Sequence, residues 1–203
     1  HNSIQCTRAL LIEGARIFCV ASAEEALEII ESGVNARFIL LSGIFPGEEK
    51  DVVRHRLIPA VSEIESCERL DSEARSQGKK VKVQIKVDTG MGRLGVLTEG
   101  FSEFFDQLSR LAGIEIEGIL SHLSCADSLR EDQVKFTKSQ IEDFHLIVNG
   151  LKARRPEIRY YHLAGSAGLI RYPEARFNCA RPGLMLYGAN PFYPEEISQI
   201  ALE

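Results

Sequence analysis

Four short stretches of the sequence carry side chains that can bind an anion, hold a ring or move a proton. They are residues 86–95 (KVDTGMGRLG), 121–124 (SHLS), 162–168 (HLAGSAG) and 180–184 (ARPGL). Lysine and arginine recognise phosphate and carboxylate groups, histidine exchanges a proton near neutral pH, and a serine hydroxyl donates to anionic oxygens. A pocket that gathers these groups would bind a small phosphorylated ligand, provided that the fold brings the four stretches together.

The first stretch continues a strand. Aliphatic and polar residues alternate over 81–87, which is the period-two pattern of a β-strand. We expect the aliphatic face to point outwards, and Lys86 and Asp88 to point inwards near the end of the strand. Arg93, beyond a glycine turn, is then a candidate partner for them. The alternatives are a lysine simply paired with a neighbouring carboxylate and an arginine in solvent.

The other stretches lie at predicted strand ends. His122 fits a base, a ligand or a ring packed on a cofactor, and equally a structural histidine. Ser166 stands near the start of a helix, where free N–H groups and the helix dipole favour phosphate, although a plain N-cap fits as well. Arg181 precedes Pro182, which interrupts strand pairing, so we expect the arginine to face the pocket beside a backbone that Gly183 leaves accessible.

Strand and helix patterns alternate along the whole sequence. Strands are predicted at 17–20, 38–41, 57–61, 81–87, 116–123, 160–164 and within 179–187, and helical segments separate them. Such alternation predicts an α/β fold with a parallel sheet, and this many units favours a closed barrel over a doubly wound sheet. Because the chain opens with a helix, we predict a (β/α)8 TIM-type barrel that lacks its first strand in these 203 residues.

The composition argues against several classes of function. The formal net charge of −5, without a basic run interleaved with aromatics, argues against a nucleic-acid partner. No apolar run is long enough to span a bilayer, so no membrane partner is expected. Five scattered cysteines without a Cys-x-x-Cys pair fit the reducing cytoplasm better than a disulfide framework, and no metal site is predicted.

Taken together, the four stretches resemble alanine racemase, a fold-type III enzyme that uses pyridoxal phosphate. The matching pieces are 86–95, Ser121-His122 with Ala126-Asp127, 162–167 and 181–188, in the family's order and spacing. The resemblance implies that 1–190 is a pyridoxal phosphate-binding α/β barrel domain, incomplete at its N-terminus. It implies that 191–203 begins a linker toward a C-terminal β-domain, and that the whole protein is a cytoplasmic homodimer.

The resemblance also assigns roles by position around the cofactor ring. Arg93 corresponds to the arginine that bonds the phenolic oxygen, and Lys86 to the lysine, carbamylated in some members, that orients it. His122 corresponds to the histidine lying against the pyridine ring, and Arg181 to the arginine that faces the pyridine nitrogen. A guanidinium stays protonated, so it would donate to that nitrogen and weaken the ring as an electron sink, which limits side reactions.

The resemblance assigns binding of the cofactor phosphate to a second group of residues. Ser166 corresponds to a phosphate-binding serine, and Gly183 and Leu184 to the backbone segment that meets the same phosphate. The family pattern at this turn is usually Asn-Ser, whereas this chain has Gly165-Ser166. We therefore expect the backbone and Ser166 to do more of the binding.

The implied activity is the interconversion of L-alanine and D-alanine for peptidoglycan precursors. The alternatives are a racemase of the same family acting on serine or another amino acid, and a non-catalytic barrel that binds pyridoxal phosphate. The Schiff-base lysine belongs to a motif whose last residue resembles His1, and the opposite-face tyrosine belongs to the C-terminal domain. Two-base racemisation needs both groups. We therefore expect residues 1–203 alone not to racemise alanine.

Overall fold

The structure, a computed structural model, describes residues 2–192 as alternating helices and strands. The α-helices are α1 (Ser3–Ile12), α2 (Ala23–Glu31), α3 (Glu49–His55), α4 (Ile64–Ser76), α5 (Phe101–Ser109), α6 (Glu131–Lys152) and α7 (Ser166–Arg171). The strands are β1 (Ile17–Val20), β2 (Arg37–Leu40), β3 (Ile58–Val61), β4 (Val81–Asp88), β5 (Val96–Leu97), β6 (Ile114–Leu120) and β7 (Tyr160–His162). Short 3-10 helices cover Thr98–Gly100, Pro173–Ala175 and Leu184–Tyr187. His1 and residues 193–203, with most of the predicted linker, lie outside the described residues.

The strands follow the order β1-β2-β3-β4-β6-β7, with β5 beside β4. Each pair with a defined register is parallel, and helical segments connect successive strands except β4 and β5, which a turn joins. The predicted parallel sheet of strands alternating with helices is therefore confirmed, with β5 as an added strand. None of the helices in the part of the chain described is both long and apolar enough to cross a membrane.

The chain divides into two compact units. The first holds residues up to 85 together with 102–117. Its core includes the fully buried side chains of Phe38, Ile58 and Ile85. Within it, the buried carboxylate of Glu117 on β6 accepts two bonds from Arg37 Nη2, both 2.6 Å long. This ion pair fixes the start of β2 relative to β6.

The second unit holds 86–101 together with the residues from 118 onward. In it β6 runs parallel to β7, with Gly118 opposite Tyr160 and Leu120 opposite His162. All four chemistry-bearing stretches belong to this unit. Their side chains can therefore be compared directly with one another.

Strand β4 is buried on both of its faces. From Val83 to Asp88 every residue is buried, and Lys82 is the one exposed residue of the strand. The alternation in the sequence thus separates two buried faces rather than a core and a solvent face, as is usual where helices cover a parallel sheet. Lys86 and Asp88 occupy the polar one.

Two short segments differ from the sequence prediction. Strand β5 was not predicted, because the glycine turn conceals a return to the sheet at Val87↔Val96. The prediction of a last strand within 179–187 is wrong. Only an isolated bridge joins His162 and Cys179, and the 3-10 helix Leu184–Tyr187 follows. Pro182 has no N–H to continue the ladder, so pairing ends there.

Candidate functional site

The turn after β4 is held by the carboxylate of Asp88. It accepts hydrogen bonds from the backbone N–H of Gly90 at 2.8 Å and of Gly92 at 2.9 Å. Burial raises the pKa of Asp88, but the N–H donors outweigh it and hold this pKa below its ordinary value. Gly95 closes the turn at φ +138°, where an added Cβ would lie 2.5 Å from the Asp88 nitrogen. Arg93 is therefore carried by a turn of fixed shape.

In the described part of the chain, neither the Lys86 amine nor the Arg93 guanidinium forms an ion pair with this carboxylate. Lys86 is buried, and it makes no ion pair or hydrogen bond with the described residues. Burial, then the positive charges of Arg93 and Arg181, lower the pKa of Lys86, and only Asp88 opposes them. Arg93 is exposed. The alternative of a lysine paired with a neighbouring carboxylate is wrong, because Asp88 is occupied by the turn.

Arg181 is the centre of a hydrogen-bond cluster. Its Nη1 donates to Nδ1 of His162 at 2.7 Å and to the His162 carbonyl at 3.0 Å. Its Nη2 donates to the Ser121 carbonyl at 2.5 Å, to Nδ1 of His122 at 3.2 Å and to the Leu163 carbonyl at 3.2 Å. One guanidinium thereby joins the ends of β6 and β7, and its plane is fixed.

The two histidines around Arg181 are held neutral. A guanidinium can only donate, so Nδ1 of each ring accepts and the proton of each neutral imidazole sits on Nε2. Burial, then the charges of Arg181, Arg93 and Lys86, lower the pKa of His122 to about 4. Burial and Arg181 lower the pKa of His162 well below its ordinary value. His122 in this state cannot act as a general acid through Nδ1, and it presents a flat, uncharged ring.

Ser166 binds backbone N–H groups of the 183–185 segment and does not cap its own helix. Its buried Oγ accepts from the backbone N–H of Gly183 at 3.0 Å and of Met185 at 3.3 Å. The N-cap residue of α7 is Gly165, and no side chain caps the helix, so the plain N-cap interpretation is wrong. Leu184 stands between the two donors with an exposed side chain. Two N–H groups that converge on one oxygen are what an anionic oxygen requires.

Gly165 places this turn against His122. A Cβ at residue 165 would lie 3.4 Å from Cε1 of the His122 ring. The backbone there is extended, with φ −84° and ψ −164°, so no strain requires glycine. The small residue brings the serine turn and the neutral ring into contact. This closeness would let one ligand place an aromatic ring against His122 and an anionic group at the Ser166 turn.

Gln140, which the sequence patterns did not indicate as a site residue, holds the backbone of the His122–Ser124 segment. Gln140 on α6 is completely buried. Its Nε2 donates to the His122 carbonyl at 3.3 Å, while its Oε1 accepts from the Ser124 N–H and from Ser124 Oγ, both at 3.1 Å. The available signal was a glutamine beside Ile141 on the apolar face of a predicted amphipathic helix.

The residues brought together suit an anionic ligand with a planar ring. The positive charges of Arg181, Arg93 and Lys86 all act on His122, whose pKa they lower. Asp88, the carboxylate among them, is committed to backbone N–H groups. No group of three or more potential metal ligands occurs among residues 2–192. A phosphate would meet the Ser166 turn, and a ring would meet His122 and Arg181.

Comparison with known proteins gives one consistent family. Residues 1–191 match the family described as "Alanine racemase, N-terminal domain". An alanine racemase of Carboxydothermus hydrogenoformans is 33% identical over 202 residues, covering 98% of this chain and 54% of that protein. A structure of alanine racemase from Clostridium difficile 630 in complex with cycloserine has a TM-score of 0.89 at 24% identity, over 100% of this chain and 55% of that one.

A second similar structure contains a bound cofactor. Alanine racemase from Bartonella henselae with covalently bound pyridoxal phosphate has a TM-score of 0.77 at 26% identity, over 94% of this chain and 53% of that one. The chain thus spans about half the length of the relatives that it matches. The structural likeness confirms the predicted TIM-type α/β barrel class.

Proposed function

This chain belongs to the alanine racemase N-terminal domain family, and from that premise we propose that it is the pyridoxal phosphate-binding part of an alanine racemase. In this proposal residues 1–190 form the cofactor-binding domain. The observation that carries it is the cluster of Arg181 with two neutral histidines beside the Ser166 turn, since these groups match the ring and the phosphate of one ligand. The relative with covalently bound pyridoxal phosphate supports the choice of cofactor.

Each side chain has a task in this proposal. Arg181 donates to the ring nitrogen, and its bonds to Ser121 and His162 keep it oriented. His122 packs against the ring as an uncharged imidazole. When bound, pyridoxal phosphate would supply the electron sink that makes the α-proton of alanine removable. An arginine in this place keeps that sink weak, which favours return of the proton over side reactions.

The phosphate and the phenolic oxygen are held by the remaining residues. Ser166 and the backbone N–H groups of the Gly183–Met185 segment would hold the phosphate, since they already converge on one oxygen. Arg93 would bond the phenolic oxygen. Lys86 would orient Arg93, and a buried amine of lowered pKa without a carboxylate partner is suited to carbamylation by carbon dioxide.

Racemisation is proposed for the protein that carries this chain, with alanine as substrate. The acid/base groups expected on the two faces of Cα, a lysine and a tyrosine, are not matched by any position of residues 1–203. We therefore propose that these residues alone do not racemise alanine. The whole protein would act as a homodimer in the cytoplasm. The D-alanine that it forms would serve peptidoglycan synthesis. The absence of a matching lysine and tyrosine is the reason for assigning only cofactor binding to this part.

The proposal is tested by titrating the whole protein with pyridoxal phosphate and then adding L-alanine. We expect the visible absorbance of bound cofactor, followed by formation of D-alanine. Arg181→Met should weaken cofactor binding by about tenfold or more, because the oriented donor is lost. Arg159→Met, at an exposed arginine of the same unit, should leave it unchanged.

Three results would change the proposal. A wild-type protein that does not bind pyridoxal phosphate would overturn it. Faster turnover of serine than of alanine would replace the substrate, and binding without any turnover would leave a non-catalytic barrel. The claim that residues 1–203 alone do not racemise alanine is tested by incubating them with pyridoxal phosphate and L-alanine. Formation of D-alanine at the rate of the whole protein would refute it.

A further inference from the structure

A pair of buried hydroxyl groups joins the residues that follow two strands, β4 and β6. Thr89 Oγ1 lies 2.9 Å from Ser121 Oγ, and either atom can be the donor. Thr89 is 6% exposed and Ser121 0%. Thr89 directly follows β4, and Ser121 directly follows β6. We call this pair the hydroxyl bridge.

One side of the bridge leads to Arg93. Thr89 lies between Asp88 and Gly90, within the turn that the Asp88 carboxylate fixes. A shift of Thr89 is therefore transmitted to the whole turn, because Gly95 leaves the backbone there no alternative path. The position of Arg93 depends on where Thr89 is held.

The other side leads to Arg181 and the histidines. The Ser121 carbonyl accepts from Arg181 Nη2 at 2.5 Å, and its N–H donates to the His162 carbonyl at 3.1 Å. His122 is the next residue. Ser121 thus takes part in the Arg181 cluster through its backbone while its side chain points to Thr89.

The two sides repel each other. Lys86 and Arg93 belong to the first, Arg181 to the second, and both arginines lower the pKa of Lys86. Asp88 cannot offset this fully, because its oxygens are bonded within the turn. The hydroxyl bridge is a direct side-chain hydrogen bond between 86–95 and Ser121, whose carbonyl belongs to the Arg181 cluster. A short bond between buried, uncharged groups resists this repulsion without neutralising either side.

We propose that Thr89 and Ser121 are positioning residues, whose hydroxyl bridge sets the separation between the Arg93 turn and the Arg181–His122 cluster. The separation determines whether one ligand can reach both cationic sides. This inference rests on the proposed function only in its choice of pyridoxal phosphate as the probe. The ordinary alternative is a buried hydrogen bond that contributes to stability alone.

Four variants separate these two roles. Thr89→Val removes the hydroxyl at constant shape, and Thr89→Ser keeps it. Thr89→Val combined with Ser121→Ala removes both partners, which leaves no buried hydroxyl unpaired and should recover most of the lost stability. Thr7→Val is the matched control, since Thr7 is also buried, at 5% exposed, but donates within its own helix to the Ser3 carbonyl at 2.8 Å.

Three measurements are made on the whole protein: denaturant unfolding, the dissociation constant for pyridoxal phosphate, and the pKa of His122 by NMR of histidine labelled at Cε1. We expect Thr89→Val to weaken cofactor binding by about tenfold, as displacement of a binding group does. The pKa of His122 should rise from about 4 toward its ordinary value, because Arg93 and Lys86 recede. Thr89→Ser and Thr7→Val should behave as wild type in both cofactor affinity and the pKa of His122.

The double variant decides the matter. Recovered stability with cofactor affinity still reduced and the His122 pKa still raised supports a positioning role. Wild-type affinity and a wild-type His122 pKa in the double variant would overturn it. If the wild-type protein binds no pyridoxal phosphate, the proposed function fails, while the His122 pKa still tests the bridge by itself.

Discussion

Acidification is expected to destabilise the folded chain through its two buried histidines, and the effect of His122 can be given a size. Burial and the charges of Arg181, Arg93 and Lys86 hold the pKa of this ring at about 4 in the folded state. In the unfolded chain it returns to about 6.5. Above that pH both states are neutral and nothing is lost. Between the two values the unfolded chain binds a proton that the folded chain does not, so stability falls as the pH falls.

The size of this effect follows from the two pKa values. Their difference corresponds to about 3 kcal/mol, at about 1.4 kcal/mol for each pKa unit. The free energy of unfolding of an ordinary domain is about 5–15 kcal/mol, so this loss is a large fraction of the total. The lowered pKa of His162 acts with the same sign. Asp88, whose pKa is lowered from 3.8, loses its contribution only at more acidic pH, where that of His122 is already complete.

The assay is urea unfolding at intervals between about pH 7.5 and 4.5. His122→Gln keeps an oxygen that can accept from Arg181 but cannot take up a proton in this range. Its stability should depend less steeply on pH than that of wild type, and His162 accounts for the slope that remains. His145→Gln is the matched control, and it should keep most of the wild-type slope because His122 is still present. An unchanged slope in His122→Gln would refute the reasoning.

Three further predictions concern the groups around the site. Gly95→Ala should destabilise by about 3 kcal/mol or more in denaturant unfolding, because a Cβ would meet the Asp88 nitrogen at 2.5 Å and φ is positive. Ser166→Ala should weaken binding of pyridoxal phosphate, followed by absorbance, by about tenfold, because the Gly183–Met185 segment loses its anchor. Gln140→Leu should cost about 3 kcal/mol of unfolding free energy, since polar groups of the His122–Ser124 segment lose their buried partner.

Each of these has a control and a contrary result. Gly92→Ala has positive φ but open space around the added methyl, so equal losses at 92 and 95 would contradict the steric argument. Ser166→Thr keeps the hydroxyl, and a loss of affinity equal to that of Ser166→Ala would show that the hydroxyl is not the anchor. Gln140→Glu keeps the shape, and full stability of Gln140→Leu would show that the three bonds contribute nothing.

Local patterns were enough to predict the elements that carry the site. The period-two run before residue 88, the helical faces and the glycine stops depend on neighbours within one turn of chain, and they gave the order of strands and helices. They also located Lys86, His122 and Ser166 at or near strand ends. The last strand was wrong because Pro182 has no N–H for the ladder, and the N–H groups of Gly183 and Met185 bond to the distant Ser166 instead.

The sequence by itself therefore determined which groups are available, and the family resemblance gave them candidate roles. The tertiary structure decided their state. That Asp88 is bonded within its turn, that both histidines accept from Arg181, and that Thr89 meets Ser121 are relations between residues up to 59 positions apart. Hydrogen-bond partners and desolvation depend on such distances, not on the identity of the adjacent residues. Only the folded chain makes Lys86 a buried amine without a carboxylate and His122 a neutral ring.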